Sequence, residues 1–195
     1  MKRPKCGARG CAASVELRMV SALAGGGVEE EHFCAAHSAE ALGAIARELN
    51  DNERGAVHST DRCSVYVERV VCDGRDGFEC YVHLRETGGP RRMAFPTGRF
   101  EAWALAWELR HEKRSPLGTH RAMADMLRAL GGDLRSVAID GVSDGRTFTA
   151  CAQISHRGSS VVVRMRPSDA VILAVVCDIP IFVDRPVWQR WLSEN

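Results

Sequence analysis

Apolar and polar positions are most sharply divided at residues 166–183, RPSDAVILAVVCDIPIFV. The stretch opens on Arg166, Pro167, Ser168 and Asp169, runs almost uncharged over 170–177, and breaks at Asp178 and Pro180. It resumes as a short β-type run over 181–183. A helix apolar on every side must be buried on every side, so the pattern predicts a core helix, a tight turn and a strand. Ser168 is positioned as the N-cap, where a hydroxyl accepts a bond from a first-turn N–H. Asp169 falls where a carboxylate favours the positive end of the helix dipole. Arg166, Ser168 and Asp169 are the polar groups at the entrance to this apolar run.

Upstream, the period alternates between strand and helix. Residues 63–72, CSVYVERVVC, are rich in β-branched and aromatic types and predict a strand. The turn chemistry of DGRDG at 73–77 leads to a returning strand at 78–84, and TGGP at 87–90 to a third at 91–95. Residues 100–110, FEAWALAWELR, switch to helical spacing, with Trp103, Ala104, Trp107 and Leu109 on the apolar side. Ser115, Pro116 and Gly118 interrupt. Thr119 is positioned to cap a second helix, HRAMADMLRAL, which ends at Gly131 and Gly132. Strands follow at 134–140, 147–154 and 160–165. The apolar stretch comes next, and a short helix at 186–192 docks Trp188 and Trp191 on the core. Strands, helices, strands and a helix predict an α+β fold with a mixed or antiparallel sheet and packed helices.

Residues 1–50 follow another logic. Cys6 and Cys11 bracket the knuckle CGARGC, and Cys34 and His37 form a second close pair, CAAH. Between them, residues 15–20 and 28–33 flank Gly25, Gly26 and Gly27 as a candidate hairpin. Behind them, Ala41, Leu42, Ile45, Ala46 and Leu49 recur at helical spacing. Two ligand pairs, a hairpin and a helix predict a tetrahedral Cys3His zinc site that is structural, because its four positions are closed. So little apolar content does not hold a core alone, and metal binding supplies the missing folding energy. His32 competes as a ligand, but His37 has the C-x2-H spacing. Polar residues 51–62 without periodicity predict a linker, leaving 63–195 as the main domain.

Composition narrows the function classes. With 195 residues, 45% hydrophobic and 26% charged, the chain is globular and long enough to bury a core. A net charge of +1 gives no strong pull toward nucleic acid or an anionic membrane. That counts against a high-affinity nucleic-acid binder and leaves room for an enzyme that holds its substrate briefly. No apolar run reaches the roughly 20 residues of a membrane span, and no apolar segment follows the basic start, as a secretory leader requires. The eight cysteines then predict thiols or metal ligands in a cytoplasmic protein. Cys63, Cys72, Cys80, Cys151 and Cys177 stand in apolar settings and read as buried thiols.

Several segments from about residue 63 to 183 occur together in one known order. They are YVHLRE; Gly98, Phe100, Glu101 and Ala102; Pro116, Leu117, Thr119 and His120; Ala129 to Gly131; Ile139 and Asp140; Asp144, Gly145, Thr147 and Phe148; and RPSDAVILA followed by DIPIFV. In this order the chain resembles the bifunctional nuclease (BFN) domain family. It departs from the family in carrying Gly118 between Leu117 and Thr119, and Phe95-Pro96-Thr97 at a strand end usually rich in isoleucine. The resemblance implies DNase and RNase activity of low sequence specificity.

Phosphodiester hydrolysis needs an activated water, charge stabilisation on the phosphate and help for the leaving oxygen. Carboxylates holding Mg²⁺ or Mn²⁺ serve the first two. Histidine transfers protons near neutral pH, and arginine offers phosphate a fork of donors. Glu101, His120, Asp140, Arg166 and Asp169 stand at matching family positions near predicted element ends and are the candidate catalytic residues. Each also has a structural reading. Glu101 and Asp169 suit helix starts, His120 a cap, Asp140 a turn, and Arg166 an ion pair with Asp169. The basic cluster Arg110, His111, Lys113 and Arg114 reads as a solvated helix end or as a phosphate-contacting patch. Two functions follow as expectations: a nuclease acting on DNA or RNA, or a non-catalytic module of the same fold that binds a ligand or protein. A homo-oligomer, and a protein partner held through the zinc module, are further expectations.

Overall fold

The computed structural model describes residues 6–22, 28–50, 62–73, 79–110, 118–143 and 147–194. The expected turns over Gly25–Gly27, 74–77 and 144–145, the linker at 51–61, and the basic residues 111–114 lie outside them.

In chain order the elements are β1 (Leu17–Ala22), β2 (Val28–Phe33), α1 (Ala35–Asn50), β3 (Arg62–Asp73), β4 (Cys80–Glu86), β5 (Arg92–Thr97), α2 (Arg99–Leu109) and α3 (Thr119–Ala129). They continue as β6 (Gly132–Ser143), β7 (Thr147–His156), β8 (Ser159–Met165), α4 (Pro167–Cys177), β9 (Ile181–Asp184) and α5 (Arg185–Glu194). The fold is α+β. Nine strands form one sheet in the order β2-β1-β3-β9-β6-β7-β8, with β4 and β5 continuing from β3. Every pairing is antiparallel except β6 with β9, so the sheet is mixed. The twelve-residue β3 carries β9 along its first four residues and β1 along its last five. The N-terminal hairpin therefore hydrogen-bonds directly into the sheet of the main domain. No sequence period announces this.

Alternate residues of a strand face opposite sides of the sheet, and β3 separates two cores in this way. Val70 belongs to the main core with α2, α3, α4 and α5, whereas Val71 joins Leu17 and Met19 in a small core backed by Ala41 and Leu42 of α1. In α4, Ala170, Val171, Ile172, Leu173, Ala174 and Val176 are all buried, as the apolar run predicts. Each large aliphatic side chain there contributes roughly 1.5–3 kcal/mol by leaving water. α2 and α3 pack on α4, and α4 lies on β6 and β7. Among the described residues, no helix is long and apolar enough to cross a membrane.

Both expected caps are corrected. Arg166, in extended conformation, is the N-cap of α4, and Pro167 takes the first helical position. Proline has no N–H to leave unpaired there and its φ is pre-set for a helix. Ser168 thereby falls at the second helical position, two residues past the cap, and is buried. Gly118 is the N-cap of α3, so Thr119 starts the helix instead of capping it. The apolar face of α2 also differs from expectation. Ala102 and Leu105 face the core with Leu109 beside them, while Trp103 and Trp107 stay half exposed. Trp103 lies beneath the guanidiniums of Arg18 and Arg99 at 5.3 and 5.7 Å.

Three buried polar groups have no signal in sequence. The register of β3 against β4 shifts between Val67 and Arg69, and this bulge accompanies the burial of Glu68. Arg92 and Arg85 hydrogen-bond the Glu68 carboxylate, and Arg69 pairs with it. Arg91 is buried against Glu86 and the Trp188 ring. His83 of β4 is also buried, and burial together with Arg69 and Arg92 depresses its pKa to about 4. An unfolded histidine titrates near 6.5. The folded protein thus refuses a proton that the unfolded chain accepts, and stability present above pH ~6.5 falls as pH drops toward 4. The loss is on the order of 3 kcal/mol. Urea melts at pH 7 and 4.5 should show this fall in the wild type and a clearly smaller one in His83→Gln. Equal falls would mean that His83 does not carry it.

Candidate active site and metal centre

Three helices of the main core point their first turns at one open cavity of about 580 Å³. Glu101 sits at the third position of α2, His120 at the second of α3 and Asp169 at the third of α4. Gly98, the N-cap of α2, leaves room for the Glu101 carboxylate, which a Cβ at that position would overlap. His120 Nε2 lies 3.0 Å from Asp169 Oδ1. Arg166 donates from Nε to Asp169 Oδ2 at 2.8 Å and from Nη2 to Oδ1 at 3.2 Å. Its Nη1 reaches Glu101 Oε1 at 2.9 Å. Arg166 thus bridges the two carboxylates and remains largely exposed on its outer side.

Burial works against the charge of Asp169, but Arg166 and His120 outweigh it and hold the carboxyl below its ordinary range. Asp169 is therefore an acceptor, so the hydrogen of its bond to His120 is on Nε2, which leaves Nδ1 as the nitrogen that carries the lone pair whenever the ring is neutral. Aligned peptide dipoles make a helix N-terminus favourable to anions. Here three such ends and Arg166 face a single cavity. Arg121 and Glu108, paired at 3.0 Å, line the same wall, as do Phe100 and Trp107. Phe100 belongs to the motif that carries Glu101, but local pattern does not place Arg121, Glu108 and Trp107 here, because their position depends on how α2 and α3 cross α4.

Of the five candidates, the structure brings Glu101, His120, Arg166 and Asp169 together. Asp140 does not join them. It lies on β6, where its Oδ1 accepts a hydrogen bond from Thr149 Oγ1 at 2.9 Å. Glu101, His120 and Asp169 do not converge on one point, since Arg166 fills the space between the two carboxylates. This donor arrangement does not fit a Mg²⁺ or Mn²⁺ ion. The basic helix end is represented by Arg110, which pairs with Glu30 of β2 and is thereby neutralised.

In the N-terminal module, one ligand atom each from Cys6, Cys11, Cys34 and His37 lies within 4.8 Å of the others. The separations are 3.6 Å for Cys11–Cys34, 3.5 Å for Cys6–His37 and 3.2 Å for Cys34–His37, the histidine presenting Nδ1. With Zn–S near 2.3 Å and Zn–N near 2.0 Å, a tetrahedral edge is about 3.5–3.8 Å, so the four atoms fit a tetrahedral ion. The knuckle is closed by Gly7 N–H on the His32 carbonyl and by Gly10 in the left-handed region. The backbone N–H and the ring of His37 lower the Cys34 pKa to about 6 against burial. The thiolate, the ligating form, therefore prevails at neutral pH. His32 stands outside the cluster, 3.0 Å from Glu30.

Residues 82–194 match the family model of the bifunctional nuclease domain, more than half of the chain. Two uncharacterized proteins of Mycobacterium tuberculosis, MT1877 of strain CDC 1551 and Rv1829 of strain H37Rv, are each 36% identical to the chain over 105 residues. The matched region is 53% of this chain and 61% of each relative, so the chain spans about three-fifths of the relatives' length. The family match contains all four residues at the cavity and excludes the metal module.

Proposed function

Since the chain belongs to the bifunctional nuclease domain family, we propose that the cavity at the three helix ends hydrolyses phosphodiester bonds in DNA or RNA. The observation that carries this reading is the meeting of Glu101, His120, Arg166 and Asp169 at three first turns. The phosphate would sit against the helix ends, with Arg166 turning part of its donor fork from the carboxylates to the phosphate oxygens. His120, oriented by Asp169, would take the proton of the attacking water on Nδ1 as the water oxygen bonds to phosphorus. The P–O ester bond then breaks and the leaving oxygen takes up a proton. Glu101 would hold Arg166 while the phosphate engages it.

Low sequence specificity accords with a site whose charged groups address the phosphate and with a net charge of +1. In the module, zinc is the metal that a closed Cys3His site of this size suits best, in a structural role. Because β1 joins β3, that role includes holding one end of the sheet.

The test is incubation of the purified full chain with single- and double-stranded DNA and RNA, each with EDTA and with added Mg²⁺ or Mn²⁺. Cleavage is expected on at least one substrate. Binding without cleavage under every condition would replace the nuclease reading with the binding-module reading, which Arg166's double pairing with carboxylates favours.

A further inference from the structure

On the sheet face beneath α2, Cys72 of β3 and Cys80 of β4 stand directly opposite each other in the antiparallel register. The Asp73 N–H bonds the Glu79 carbonyl at 3.1 Å, which makes 73/79 a hydrogen-bonded pair. Alternation then makes 72/80 a non-hydrogen-bonded pair, the type in which opposed Cα atoms approach to about 4.5 Å and the side chains come closest. A disulfide spans Cα separations of about 4.4–6.8 Å, so this pair can close with little backbone movement. Both thiols are free and face each other across the strand pair.

The pair can be reached from outside. Cys72 lines a second cavity, of about 230 Å³, between β1, β3 and α2, whose wall also carries Arg18, Trp103 and Arg110. Cys80 lies behind it and is buried. The neighbouring Cys72 thiol lowers the pKa of Cys80 and, with a further contribution from Arg99, outweighs burial, so one proton leaves the pair more readily than from an isolated thiol. The other proton is held on Cys72 by the same neighbour and by burial. A thiolate with a thiol in contact is the arrangement that peroxides oxidise to a disulfide.

We propose that Cys72 and Cys80 form a peroxide-sensitive dithiol that closes to a cross-strand disulfide beneath α2. The thiolate attacks one oxygen of a hydroperoxide. An S–O bond forms, the O–O bond breaks, and the departing oxide takes a proton. The second sulfur, losing its proton, attacks the sulfenic sulfur. The S–S bond forms, the S–O bond breaks, and water leaves. Two thiols are oxidised and one peroxide is reduced. This inference is independent of the nuclease reading.

The test treats the full, metal-loaded chain with hydrogen peroxide, alkylates the free thiols, digests without reductant and analyses the peptides by mass spectrometry. Trypsin separates residues 70–75 from 76–85. A linked species two hydrogens lighter than their sum is expected, appearing before oxidation of Cys63 and Cys151 and reversed by dithiothreitol. In Cys72→Ser the link is lost and Cys80, the attacking sulfur, is left as the sulfenic acid and becomes trappable by dimedone. If the native wild type leaves 72 and 80 alkylatable at a dose that oxidises other cysteines, or links them only after denaturation, the proposal fails. This wild-type readout does not depend on the variant folding.

Discussion

Asp169→Ala is expected to lower cleavage by about 10²–10⁴-fold, the range of a positioned proton-transfer system. Asp169 touches both groups that would act on substrate, orienting His120 through Oδ1 and engaging Arg166 through both oxygens. Its removal frees the imidazole to turn and leaves Arg166 held by Glu101 alone. The fall should lie mainly in kcat, with a smaller change in KM, because the helix ends that would hold the phosphate remain. The fold should survive, since the largely exposed Arg166 makes this a screened ion pair of little stabilising worth. Steady-state rates with circular-dichroism melts as control decide it. An unchanged rate would remove Asp169 from the site. Cleavage that persists in the triple variant Glu101→Ala/His120→Ala/Asp169→Ala would point to a contaminating nuclease.

The second large effect concerns the metal. The purified chain is expected to carry about one zinc per molecule and to lose it in Cys6→Ser/Cys34→Ser. Zinc binding to such small sites provides on the order of 10 kcal/mol of folding free energy. The core beneath α1 is small, consisting of Leu17, Met19 and Val71 with Phe33, Ala41 and Leu42 packed on it. Without metal this core does not offset the entropy of ordering the hairpin and helix. Amide exchange across Leu17–Ala22 should therefore accelerate strongly on chelation, while α4 keeps its protection. A chain purified without metal, or β1 amides indifferent to chelation, would contradict this. The effect should also extend beyond the module. Arg18 of β1 and Glu30 of β2 meet Trp103 of α2 and its C-cap Arg110, on the helix that carries Glu101.

The four residues at the cavity are legible in sequence because they belong to short motifs at helix starts. A helix start is a local event, set by Pro167, Gly98 and Gly118 within a few residues. Asp140 has the same credentials in sequence, at a predicted strand end in a family motif, yet it bonds Thr149 on the neighbouring strand. Its exclusion is decided by the path of β6 relative to α4. Arg121, Glu108 and Trp107 enter the cavity wall for the opposite reason, through helix crossings that local pattern does not fix.

The apolar run 166–183 fixed its own fate. Its all-round hydrophobicity permits only a buried helix, and the break at Asp178 and Pro180 permits only a turn, made with Asp178 in the left-handed conformation. The Cys3His group that could hold a metal ion was equally plain, because the spacing is local within each pair. The tertiary structure decided the rest. It set which face of α2 is buried, the bulge that accompanies Glu68, the merging of hairpin and main sheet along β3, and the register that sets Cys72 against Cys80. Each is a long-range pairing of strands or helices. A one-residue slip in a strand pairing moves every side chain to the other face, and that choice rests on the packing of the whole sheet, where no local pattern reaches.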